Sequence, residues 1–333
     1  MKRRDFIKMG AGLGAVMAST TPLSPAFAQT KMVLKAADVH PLGYPTVEAV
    51  LSMGKKLEAA TNGRLTIQMF PSMQLGGEKE MIEQAQLGAL QIARISVGAV
   101  GPVVDDVNVF NMPFVFRNSK HMEKVIDGEI GDELLTKIST NEKTNLIALC
   151  WMNAGSRNVY NNKRPIRSMA DLKGLKVRMM GNPLFVDTMN ALGGNGVALG
   201  FDQVFASMQT GVVDGAENNA PSFMAQNHYQ VAKYFTMTEH LIIPELVVFS
   251  RISWQKLSPE DQALIKKYSK EMQQEQRVLW YAAENAAIEK MKAAGTEIIT
   301  DIDKKPFQDA VKPVWDKYGA KYAAMVKRIE AVN

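Results

Sequence analysis

The chain has 333 residues and a formal charge of +5, of which Lys2, Arg3, Arg4 and Lys8 minus Asp5 supply +3 and leave +2 for the remainder. So near-neutral a balance argues against nucleic acid or an anionic membrane surface as the partner. The single cysteine, Cys150, has no second cysteine to bond within the chain, and its apolar neighbours from Leu146 to Trp151 mark it as a buried strand thiol.

Residues 1–28 have the order of an export signal: a basic start, an apolar and small-residue run from Met9 to Ala18, a Pro-containing region, and Ala26-Phe27-Ala28. The run is too short to hold a bilayer, and the small residues Ala26 and Ala28 fit a peptidase cleft. Cleavage after Ala28 is predicted, with Gln29 first in the mature protein. Arg3-Arg4 followed by Asp5, Phe6, Ile7 and Lys8 resembles the twin-arginine signal, with Lys2 where Ser or Thr is usual. The glycines at 10, 12 and 14 lie inside this signal and follow no strand, so they are not read as a nucleotide loop. No later apolar run approaches a membrane span in length.

Val33 to Asp38 is a strand, and Tyr44 to Ala60 carries apolar residues at helical spacing up to the stop Asn62-Gly63. Arg64 to Phe70 is a second strand, with Leu65, Ile67 and Met69 alternating. A helix opens at Gly76-Gly77, places Glu78 and Glu80 at its positive end, and runs to about Gly88. Gln91 to Ser96 is a third strand, and this alternation indicates a parallel sheet flanked by helices. Leu146 to Trp151 and Arg157 to Asn161 are strands, Asp171 to Met179 is a turn into another, and helices Pro183 to Leu192 and Asp202 to Thr210 surround Val197-Ala198-Leu199. A second α/β unit therefore begins near residue 152, as expected when roughly 300 residues exceed one compact core. Glu245 to Ile252 is too apolar for an exposed strand, which predicts insertion into a sheet already made. Ser258-Pro259-Glu260 starts a helix with Ser as N-cap and Pro at the first position. With no Gly or Pro before about Ala294, that helix should reach about 50 Å, enough to cross two domains.

Catalytic and metal motifs are missing. The four histidines, at 40, 121, 228 and 240, form no HExxH, and the chain contains no GxSxG elbow, P-loop or glycine fingerprint after a strand. What stands out is arginine near strand ends: Arg94, Arg157 and Arg178. Ligands of open α/β folds sit at the carboxyl ends of strands, and a guanidinium there grips a carboxylate through two parallel hydrogen bonds. Asp214 to Asn219 has, by composition, the look of a polar loop.

Leu75-Gly-Gly-Glu-Lys-Glu-Met-Ile-Glu-Gln84, Asp171-Leu-Lys-Gly-Leu-Lys-Val-Arg178, Ala206-Ser-Met-Gln-Thr-Gly-Val-Val-Asp-Gly-Ala-Glu-Asn-Asn219 and Leu257-Ser-Pro-Glu-Asp-Gln262 occur in that order. On these pieces the chain resembles the periplasmic solute-binding subunit of tripartite ATP-independent periplasmic (TRAP) transporters, of the C4-dicarboxylate-binding type. The resemblance implies an α/β, two-domain periplasmic binding protein with a central cleft, hinge strands and a long helix that contacts both domains. It divides the mature chain into 29–152 plus about 240–278, and 153–239 plus about 279–333. It also implies that Arg178 pairs with the ligand carboxylate, that Arg157 assists and that Asn218 reaches the same group, with Glu217 beside it and Arg94 a further candidate. Ala37-Asp-Val-His-Pro-Leu-Gly-Tyr-Pro45, Glu217 to Ser222 and Thr238-Glu-His240 are similar to members that bind sugar acids, uronates in particular. A polyhydroxy acid needs acceptors as well as donors, which His40, Glu78 and Asn219 supply, whereas a plain dicarboxylate would want a second cation and little else.

The expected function is capture of a carboxylated solute, a hexuronate such as D-glucuronate or D-galacturonate, and its delivery to the TRAP membrane permease. The mature protein is expected to be periplasmic and monomeric, with no cofactor, metal or enzymatic activity. The alternatives are a C4-dicarboxylate or other organic acid as ligand, a sensory adaptor for the same ligand, and a cofactor-bearing enzyme exported folded.

Overall fold

A computed structural model describes residues 31–333, so the predicted signal lies outside the described residues. Eleven strands are described: β1 (Met32–Ala37), β2 (Leu65–Phe70), β3 (Ile92–Ser96), β4 (Leu146–Met152), β5 (Arg157–Asn161), β6 (Lys176–Met179), β7 (Asn195–Ala198), β8 (Gly215–Asn218), β9 (Tyr234–Leu241), β10 (Glu245–Ser250) and β11 (Glu297–Ile299). They form a five-stranded sheet in the order β2-β1-β3-β10-β4 and a six-stranded sheet in the order β11-β9-β5-β8-β6-β7. Each sheet with its helices makes one lobe.

The first sheet follows from the chain's early βαβαβ pattern. Strands β1, β2 and β3 are parallel, and β10 arrives late to pair antiparallel with both β3 and β4. Every residue of β3 and β10 is buried, as expected of central strands covered on both faces. The insertion predicted for 245–252 is therefore found, although the strand stops at Ser250. There the Ser250 hydroxyl accepts from the Ser253 amide and turns the chain into a short helix, Arg251–Trp254. Asp214 to Asn219 is likewise more than a loop. Its last four residues before Asn219 form β8, wholly buried between β5 and β6, because the polar ends of Glu217 and Asn218 find partners inside the protein. Cys150 is buried in β4, and burial pushes its thiol far above the usual range.

Three segments join the lobes: the crossover between β4 and β5, the return from β9 to β10, and the helix Pro259–Ala293. That helix begins as expected, with the Ser258 hydroxyl accepting from the Asp261 amide. Its first half is tied to the first lobe by Arg64 on Asp261 and by Lys56 on Glu271 at 2.7 Å. At mid-length Gln276 exchanges hydrogen bonds with the Asn153 backbone, at 2.9 and 2.7 Å, and so fixes the crossover. Trp280, fully buried, packs with Tyr44, Val47 and Ala154. Gly155 sits against it at φ +61°, where a Cβ would come within 2.5 Å of Glu284 and 3.1 Å of Trp280, so both backbone and space demand glycine. Further along, Ala287 and Met291 enter the second lobe's core with Phe223 and Phe235. The C-terminal helices also touch both lobes, through Lys317 on Asp187, Lys321 on Asp105 and Arg328 on Glu133.

The lobes approach closely at Gly98. Its carbonyl accepts from Asn182, and a Cβ there would lie 2.5 Å from Phe185 and 2.6 Å from Met180, both of the other lobe. Gly98→Val is expected to leave each lobe folded but to hold them apart. Small-angle scattering should report a larger radius of gyration for the variant than for the parent, with little change in circular dichroism.

Candidate functional site

A pocket lies between the lobes, where the carboxyl ends of several strands converge. From its mouth an open cleft extends that shares Glu78, Arg178, Met180 and Phe201 with the inner pocket.

The first lobe contributes a charge cluster. Arg94, on the buried β3, is 1 % exposed and meets three carboxylates: Glu78 at 3.1 Å, Glu245 at 2.5 Å, and Asp38. Asp38 directly follows β1, Glu78 opens the helix Glu78–Gln86, and Glu245 opens β10 opposite Ser96, so the sheet register brings them to one guanidinium. Burial by itself would raise Asp38, but Arg94 and His40 outweigh it and hold the carboxyl well below its usual range. Glu245 goes the other way: burial, reinforced by neighbouring Glu78 and Asp38 against the opposing pull of Arg94, lifts it to about 7. His40 stacks on Tyr44 with ring centres 3.7 Å apart and lies 3.1 Å from the Ser222 hydroxyl of the second lobe. Tyr44 reaches the same hydroxyl at 2.8 Å.

The second lobe contributes two arginines of different standing. Arg157 donates to both carboxylate oxygens of Glu217, at 2.5 and 2.7 Å, and to Asn218 Oδ1 at 3.0 Å. Its charge is therefore matched. Arg178, 3 % exposed, donates through Nε to the Leu199 carbonyl at 2.8 Å, and among the described residues no carboxylate lies within ion-pair distance of it. Burial pulls its pKa below the ordinary arginine value, yet a guanidinium keeps its charge at any physiological pH. The pocket thus holds a buried cation without an anion, flanked by Asn218 and Asn219 and faced by the carboxyls of Glu78 and Glu245. Such a site suits a carboxylate at one end and hydroxyl groups at the other.

The family model for bacterial extracellular solute-binding protein, family 7, matches residues 36–321. The chain belongs to this family. A TRAP periplasmic solute binding protein from Pseudomonas putida F1, with bound D-glucuronate, is 59 % identical, with 91 % of this chain and 98 % of that one covered and a TM-score of 0.89. One from Bradyrhizobium sp. btai1, in complex with alpha/beta-D-galacturonate, is 42 % identical over 90 % of this chain and 99 % of that one, at TM-score 0.86. A third, from Citrobacter koseri, is seen in two states. With bound D-glucuronate it covers 91 % of this chain and 100 % of its own at 46 % identity and TM-score 0.89; apo and open, it covers 90 % and 98 % at 44 % identity and 0.79. The lobes of this solute-binding protein are therefore arranged more as in the bound form than as in the open one, in agreement with the contacts of Ser222 and Gly98 across the cleft. The resemblance to TRAP solute-binding subunits and the two-domain α/β fold both hold.

Of the eight site residues expected from the sequence, Arg178, Arg157, Asn218, Arg94, His40, Glu78 and Asn219 line the pocket. Glu217 does not. It is fully buried behind Arg157, with His240 Nε2 3.7 Å away on its other side, because its carboxylate is needed to compensate that arginine. Arg94, expected as a further carboxylate anchor, is already surrounded by carboxylates. Sequence reasoning passed over Asp38, Glu245, Phe201 and Ser222. For Glu245 the signal was present, since an acid opening a strand that is apolar from Leu246 to Phe249 needs a buried partner.

His228 and His240 are buried and neutral, held down to about 3 and about 4 by desolvation, with Arg178 and Arg157 respectively adding to the effect. In the unfolded chain both would titrate near the ordinary value of about 6.5. Between that pH and their folded values the unfolded state binds more protons than the native one, so stability falls as pH falls. The melting temperature is expected to drop from pH 7 to pH 4, and to drop less in His240→Gln.

Proposed function

We propose that this protein captures a hexuronate, such as D-glucuronate or D-galacturonate, in the periplasm and hands it to the permease of a TRAP transporter, without chemical conversion. The observation that carries the reading is the unpaired, buried guanidinium of Arg178 in a pocket otherwise rich in hydroxyl acceptors. The bound sugar acids of the similar proteins support it.

In this reading the ligand carboxylate takes both free amino groups of Arg178, with Asn218 and Arg157 alongside, while the ring hydroxyls donate to Glu78 and Glu245 and meet His40 and Asn219. The ligand then bonds to both lobes at once. Only the closed arrangement offers both sets of contacts, so binding shifts the population toward closure. The permease would recognise that closed form. Export supplies the location: the twin-arginine-like segment directs the chain across the inner membrane, and the mature protein acts as a monomer.

Calorimetric titration tests the anchor. Arg178→Ala is expected to lose about 2–5 kcal/mol of hexuronate binding, because the carboxylate would be desolvated without a partner. Arg178→Lys should also bind poorly, since one ammonium cannot reproduce two parallel bonds. Neither change removes an ion pair from the unliganded protein, although both give up the bond from Arg178 Nε to the Leu199 carbonyl, so circular dichroism without ligand should show the fold retained. Parent-like affinity in Arg178→Ala would remove the anchor from the reading. N-terminal mass spectrometry of the exported protein is expected to find Gln29 as the first residue, and replacement of Arg3 and Arg4 by Lys to abolish export.

A further inference from the structure

The two walls of the pocket carry opposite charge. On the second lobe Glu217 cancels Arg157, which leaves Arg178 as a net +1. On the first lobe Asp38, Glu78 and Glu245 share the single guanidinium of Arg94, so three negative charges against one leave −2 when all are ionised. All the hydrogen bonds of Glu78 fall on its Oε1, and that of Glu245 on its Oε2. The other oxygen of each is left as an acceptor, and the two residues line the pocket.

We propose that this polarity makes the pocket select sugar monocarboxylates over the matching dicarboxylates: a hexuronate is admitted, and a hexarate, whose far carbon is a second carboxylate, is turned away. The inference rests on the hexuronate reading and extends it to what the site excludes. A hydroxyl or hemiacetal group donates a proton to Glu78 or Glu245. A second carboxylate has no proton to donate and brings another negative charge against a wall that already has an excess, in a buried setting where Coulomb repulsion is weakly screened. Arg94 offers such a group no relief, because its charge is already shared among three acids. Discrimination therefore comes from a repulsive element opposite the attractive one.

The test is calorimetry at pH 8, above the value of about 7 for Glu245, so that its carboxyl is ionised. The parent is titrated with D-glucuronate, D-galacturonate and the two corresponding hexarates. Hexarates are expected to bind about 100-fold more weakly or worse. Glu245→Gln and Glu78→Gln each remove one negative charge and keep an amide in its place, and each should narrow the uronate-to-hexarate ratio about tenfold, through gained hexarate affinity. Two variants guard against one failing to fold, which circular dichroism would reveal. Uronates and hexarates binding equally to the parent, or an unchanged ratio in the folded variants, would overturn the discrimination and leave the hexuronate reading standing. A parent that binds hexarates but no uronate overturns both, and one that binds neither overturns the hexuronate reading and the discrimination with it.

Discussion

Burying a guanidinium costs several kcal/mol unless negative charge or hydrogen bonds compensate it, and this protein buries three around one cavity. Much of the site is the consequence. Arg94 draws Asp38, Glu78 and Glu245 to the strand ends of the first lobe, and Arg157 holds Glu217 in the interior of β8. Arg178 alone keeps its charge without an acid. A protein that leaves one such group uncompensated leaves binding energy for an anion that completes the set.

The same accounting links charge to motion. The acids belong to one lobe and the unpaired cation to the other, so a solute with a carboxylate at one end and hydroxyls at the other connects the two. The crossover near Asn153 and Gly155, which joins the lobes, is clamped by Gln276 and Trp280 of the long helix. Ser222, reached by both His40 and Tyr44, and Gly98, pressed by Phe185 and Met180, mark how near the lobes come. Position, charge and closeness of approach thus depend on one another.

Local order was legible in the chain because each element rests on interactions within a few residues. Periodicity placed β1 to β3 and their helices, the N-cap and the run without Gly or Pro placed the helix after Ser258, and the excess of apolar residues in 245–252 placed β10 inside a sheet. Arginines at strand ends, together with the family resemblance, pointed to the residues of the pocket. The polar segment 214–219 was harder. Composition cannot distinguish a solvated loop from a buried strand whose side chains have partners, since the partners of Glu217 and Asn218 lie some sixty residues away.

What the sequence by itself determined is part of the list of participants: three arginines, His40, Glu78 and the amides Asn218 and Asn219, and two α/β units bridged by a long helix. Which arginine is free was decided only by the tertiary structure. Arg94, Arg157 and Arg178 look alike along the chain, and they differ because sheet register and lobe packing bring three acids to the first, one to the second and none to the third. Charge compensation is a property of distances in space, set by contacts such as Arg94 with Glu245, 151 residues apart, which no local pattern encodes.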